Sequence, residues 1–120
     1  MNSHVTGLGS AAVAEFWSGT KSLTPSGTKL ATLTFGTSVV AANGGTAGSV
    51  SNGVLTFGGF TQVNADHVSG TPTFVLLKTG GGVAYAAIDI GGGPTNIQFT
   101  GAVVANQNMT GSLSWAAGNA

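Results

Sequence analysis

The chain has 120 residues, of which 42% are hydrophobic but only 5% charged, with no cysteine and a formal net charge of zero. A soluble domain usually carries about 25% charged residues, so the surface here must be polar without being ionic. That length accommodates one domain with one core.

The cations are Lys21, Lys29 and Lys78, with no arginine, and the acids are Glu15, Asp66 and Asp89. Three scattered lysines cannot neutralise the run of phosphates that a nucleic-acid site needs, so no nucleic-acid partner is expected. The lack of cysteine removes disulfides and thiolate metal sites. Met1-Asn2-Ser3-His4 has neither the basic nor the apolar region of a signal peptide. No run approaches the ~20 apolar residues of a membrane-spanning helix, so no membrane is expected as a partner. A neutral surface lacks the self-repulsion that keeps monomers apart. A homo-oligomer, or a place on a larger scaffold, is the expectation.

Along the chain, residues 1–12 read as an N-terminal arm and residues 13–120 as a single domain. Apolar residues in 10–15 are too few for a helix, and residues 12–18 read as a strand. In 29–35, Ala31, Leu33 and Phe35 alternate with Thr32 and Thr34, the period-two pattern of a half-buried strand. Residues 41–49 are small and uncharged and read as a loop. Asn52-Gly53 between two short β-rich runs signals a hairpin through a type I′ turn.

Residues 72–90 read as a central hairpin. Both arms, Thr73 to Leu77 and Val83 to Ile90, are apolar on both faces, and Thr79-Gly80-Gly81-Gly82 joins them. A turn there needs positive φ, which glycine adopts without steric cost. Gly91-Gly92-Gly93-Pro94 then bends the chain into a strand over 96–104. In 109–115, Met109, Leu113 and Trp115 alternate with Thr110, Ser112 and Ser114. Seven to eight short strands without a sustained helical period make the fold all-β: an antiparallel β-sandwich or a jelly-roll-like barrel.

Ionisable side chains for catalysis are sparse. Glu15, Asp66 and Asp89 are far apart in sequence, and Asp89 reads as a polar residue at a sheet edge. Asp66-His67 is the one adjacent acid–imidazole pair, but strand neighbours point to opposite faces, and in a loop the Asp makes a local turn bond. His4 and His67 with three dispersed acids do not make a zinc site, and no carboxylate cluster suits calcium. The triglycines match no phosphate-binding motif. No catalytic, metal or cofactor-binding residue is therefore assigned, and a non-enzymatic protein is expected. Phe57 and Phe60, flanking Gly58-Gly59, and Trp17 and Trp115 are candidate protein-interface anchors. Trp17, Trp115 and Tyr85 also keep open a carbohydrate-binding module that stacks sugars on aromatic rings.

Several phrases carry a resemblance. They are Ala14-Glu15-Phe16-Trp17-Ser18-Gly19-Thr20 with the turn Thr24-Pro25-Ser26, then Leu30-Ala31-Thr32-Leu33-Thr34-Phe35. Gly70-Thr71 follows, with Thr73-Phe74-Val75-Leu76-Leu77-Lys78. In this order, with an apolar-Asp strand, an Ile-x-Phe strand and a Ser/Thr-rich last strand, the chain resembles a loose family of small bacteriophage virion structural proteins. The resemblance implies a virion component, assembled in the host cytoplasm, with the major capsid protein or other virion proteins as partners. A capsid decoration or cement protein is the leading expectation, and a tail, neck or fibre-associated protein the alternative.

Overall fold

The computed structural model describes residues 6–36, 39–40, 48–51, 54–58, 60–62, 68–91, 97–103 and 110–116. Among the described residues, alternating apolar residues in short runs between turns produce nine strands: β1 (Val13–Trp17), β2 (Lys29–Phe35), β3 (Ser49–Ser51), β4 (Val54–Thr56), β5 (Phe60–Gln62), β6 (Phe74–Lys78), β7 (Ala84–Asp89), β8 (Ile97–Ala102) and β9 (Thr110–Trp115). They form two antiparallel sheets, one of five strands in the order β5-β2-β1-β6-β7 and one of four in the order β3-β4-β9-β8. Four hairpins pair strands adjacent in sequence, and the chain crosses between sheets after β2, β4 and β7. Two isolated bridges, Gly70↔Val103 and Ile90↔Ile97, link segments flanking the two sheets. The fold is the all-β sandwich.

Period two does what it should on β2, where Ala31, Leu33 and Phe35 are buried and Thr32 and Thr34 are half-buried. On β9, Leu113 and Trp115 face the core in the same way. Between the sheets, Phe16 of β1 meets Phe99 of β8 edge-on, with ring centroids 5.0 Å apart. Phe35 of β2 meets Phe57, just after β4, at 5.4 Å. Each aromatic pair spans the sandwich, and Leu33, Leu55, Val75, Leu77, Ile97 and Leu113 fill the space around them.

Three features depart from the sequence reading. One strand, β5, is additional to those read from the sequence; it has three residues, too short to show a period. The hairpin of 72–90 is not central. β6 lies between β1 and β7, and its first four residues are all buried, whereas β7 is the sheet edge and mostly half-buried. An edge strand lacks a neighbour on one side, so an apolar run there keeps some contact with solvent. Residues 8–12, expected in an arm, pack into the body instead. Leu8 is 1% exposed, the Ala11 amide donates to Gly36 O at 2.7 Å, and the Phe35 amide donates to Ala12 O at 2.8 Å.

The turns follow their glycines. Gly82 has φ +86° in a tight connection closed by Thr79 N–H to Val83 O at 2.9 Å. Gly80 is needed for a different reason, since a Cβ there would sit 2.5 Å from Ser10 O. Ser51 pairs with Val54, so β3 and β4 are joined by two residues, although Asn52 and Gly53 lie outside the described residues. The same is true of most of 41–49 and of Gly92, Gly93 and Pro94.

Truncating Phe16, which is fully buried, removes one of the two inter-sheet aromatic contacts among the described residues. Phe16→Ala is expected to cost about 3–5 kcal/mol in urea denaturation, the range for a large aromatic lost from a core.

Candidate functional site

Strand β1 is buried on both sides. Ala14 and Phe16 enter the core, while Val13, Glu15 and Trp17 take the opposite, outward face of the five-stranded sheet. Register places Glu15 between Thr32 of β2 and Leu76 of β6, and Trp17 between Lys29 and Phe74. A register shift between Phe16 and Trp17 marks a bulge on the β2 side, the kind of irregularity that re-aims a side chain.

Glu15 is 7% exposed, the one buried charged residue among those described. The Trp17 indole Nε1–H donates to its Oε1 at 3.1 Å. Its Oε2 faces Lys78 Nζ at 3.3 Å and Lys29 Nζ at 4.0 Å. One carboxylate thus ties together three adjacent strands. Beside it, Thr32 Oγ1 is buried with no hydrogen-bond partner among the described residues. Phe74 and Leu76 are buried on this same outward side and stand outside the core cluster.

The β1–β2 connection, residues 18–28, runs over one end of this face. The Thr73 hydroxyl donates to Gly19 O at 2.8 Å, and Lys21 reaches Asp89 at the end of β7 at 3.5 Å. Asp89 accordingly sits at a sheet edge, as its sequence context suggested. All five charged residues described therefore lie on the five-stranded side of the molecule. The four strands of the other sheet contain no Lys, Arg, His, Asp or Glu. Their described outward positions include Thr56, Ser114 and Gln98, and Thr56 and Gln98 are exposed.

The aromatic candidates separate. Phe57 and Trp115 are core residues, 8% and 7% exposed, because each belongs to the inner face of the four-stranded sheet or its continuation. They present no ring to a partner. Phe60 lies opposite Phe35 in the β2–β5 register. Tyr85 is half-buried and packs on the core, with Gly7 close enough that a Cβ would clash with its ring. Of these, Trp17 is the one half-buried on an outward face and held beside charged groups. Asp66, His67 and His4 lie outside the described residues.

Sequence reasoning passed over the cluster of Glu15, Lys29 and Lys78. Alternation in Val13–Trp17 places Glu15 on the face opposite Phe16, but Lys29 reaches it only through the β1–β2 pairing and its bulge, and Lys78 belongs to β6, far away in sequence. Among the described residues no three His, Cys, Asp or Glu side chains come together, and no helix is long and apolar enough to cross a membrane. No protein-family model matches the chain, and no curated protein or solved structure matches it.

Removing the carboxylate leaves two ammonium groups facing each other over a covered strand. Glu15→Ala is expected to destabilise by about 1–3 kcal/mol in urea denaturation, less than the 3–5 of a fully buried pair because both lysines keep some contact with water. Glu15→Gln retains an acceptor for Trp17 and should cost less than Glu15→Ala.

Proposed function

We propose that this chain is a non-enzymatic structural subunit of a bacteriophage particle, most simply a decoration protein seated on the major capsid shell. The observation that carries this reading is the segregation of charge. Every described ionisable side chain is gathered on one side, leaving the four-stranded sheet with none. An outward face of Ser, Thr and Gln has no charge to desolvate or match when covered, and its hydroxyls and amides must be re-paired by hydrogen bonds across the contact. Such a face suits repeated docking on neutral protein surfaces. The resemblance of Leu30–Phe35 and its flanking phrases to virion proteins supplies the assembly.

The ion pairs support the same orientation. Lys21–Asp89 is exposed, 45% and 49% for its two side chains, and gains by staying in water. The charged sheet faces solvent, therefore, and the uncharged sheet faces the shell.

Lysine at Thr56 and Gln98, both exposed, puts two charges on the uncharged sheet; at Thr56 the change in strand propensity should cost no more than about 1 kcal/mol, and urea denaturation of the double variant checks that it is folded. In particles assembled with the double variant Thr56→Lys/Gln98→Lys, incorporation counted by cryo-EM is expected to collapse. Incorporation equal to the unsubstituted protein overturns the docking face. The unsubstituted protein is expected at hundreds of copies per particle, on the order of a shell's repeating sites. A handful at one vertex or along the tail replaces the decoration role with a tail or neck role.

A further inference from the structure

Strand β7 pairs with β6 on one side and has no strand on the other among the described residues. The Ile90 amide donates to Thr73 O at 3.0 Å, and these two residues continue the register of Phe74 with Asp89 and Val75 with Ile88. Hydrogen-bonded and non-hydrogen-bonded pairs alternate along an antiparallel ladder. Ile88 therefore bonds to Val75, while Ala87 and Asp89 turn their N–H and C=O groups away from β6. Among the described residues these four groups have no hydrogen-bond partner. Such an edge is a template for another strand, and proteins commonly block it with lysine or proline. β7 reads Ala-Tyr-Ala-Ala-Ile-Asp and has neither. Its one charge, Asp89, is 49% exposed and pairs with Lys21 at 3.5 Å.

We infer that β7 pairs antiparallel with β7 of a second copy, joining two five-stranded sheets into one of ten strands. A twofold axis at Ile88 sets Ala87 opposite Asp89 of the second copy, and the reverse. The unpaired groups of both copies then meet in four N–H···O bonds, with none left over. Ala86 and Ala87, at the centre, carry no bulk to hold the two backbones apart. Charge selects a second copy over a foreign strand. The axis makes Asp89 and its symmetry mate diagonal neighbours, about 7 Å apart on one face. The exposed Lys21 side chain of each copy can reach either carboxylate, so the four charges alternate and balance. The chain also has no net charge to oppose self-association. The contact is small, so the dimer is weak and forms where copies are concentrated. This inference does not rest on the virion reading. β7 contains neither Thr56 nor Gln98, so either reading can fail alone.

Sedimentation equilibrium of the full chain, from about 10 µM to about 1 mM, is expected to show a dimer with a Kd of about 0.1 mM. Amide hydrogen exchange followed by NMR should slow at Ala87 and Asp89 as concentration rises. Ala87→Pro removes one outward N–H from each copy, and so two of the four bonds, without touching the bonds to β6. It should weaken the dimer about thirtyfold. Lys21→Glu, at an exposed loop position, gathers four carboxylates at the axis and should weaken it at least about tenfold. Urea denaturation checks both folds, and Lys21→Glu reads the same contact if the proline variant does not fold. A monomer at about 1 mM overturns the second copy and leaves the edge to a foreign strand. A dimer whose Ala87 and Asp89 amides exchange as fast as in dilute protein overturns the edge. Undiminished dimerisation of either folded variant does the same.

Discussion

The register of β1 is the constraint on which the five-stranded sheet depends. This strand lies at the sheet's centre, and its residues alternate between a packed interior and an outward face that is itself covered. A slip of one residue would carry Glu15 into the core and turn Phe16 outward, because side chains alternate with a period of two. An unpaired carboxylate in an apolar interior costs several kcal/mol even after relaxation, and losing the Phe16–Phe99 contact adds to it. The ladder has one workable alignment, and Lys29 and Lys78 reinforce it from both neighbouring strands.

From that alignment the division of the molecule follows. With β1 fixed, the outward face of its sheet receives Glu15, Lys29, Lys78 and Asp89, and the loop that returns to β2 brings Lys21 to Asp89. The strands of the second sheet are built from uncharged residues alone, so no ion pair joins them. Its inner face is anchored by Leu55, Leu113, Trp115 and Ile97 against the aromatics of the first sheet. One side of the sandwich is suited to water and ionic contacts, and the other to being covered. The proposed docking reading uses this division, since the first side keeps its ion pairs and the second has no charge in its strands for a partner to match.

The same economy explains why the two tryptophans have different fates. Trp115 ends β9 with the inward parity of Leu113 and is spent on the core. Trp17 ends β1 with the outward parity of Glu15, beyond a bulge, and its indole N–H satisfies the carboxylate. Aromatic content alone made them equal candidates; parity on the strand separated them. Phe57 resembles Trp115 in this respect, since its ring packs on Phe35 at 5.4 Å and leaves no anchor for a partner.

Local pattern was enough for much of the fold. The threonine alternation in β2, the Ser/Leu/Trp alternation in β9, the glycine turn before β7 and the two-residue connection of β3 and β4 are short-range effects of side-chain parity and backbone freedom. All are present in the sequence by itself, as is the scarcity of charge. Strand order is long-range, set by which apolar faces seal one core, and no local pattern encodes it. Tertiary structure alone therefore made β7 an edge and packed Leu8 into the body. It also brought Lys29 and Lys78 to Glu15 and left the four-stranded sheet without a charge. Apart from the Lys29 contact, which the β1–β2 pairing makes, these depend on segments distant in sequence becoming neighbours, with paired strands about 4.8 Å apart, which is a property of the assembled sheets and of no segment within them.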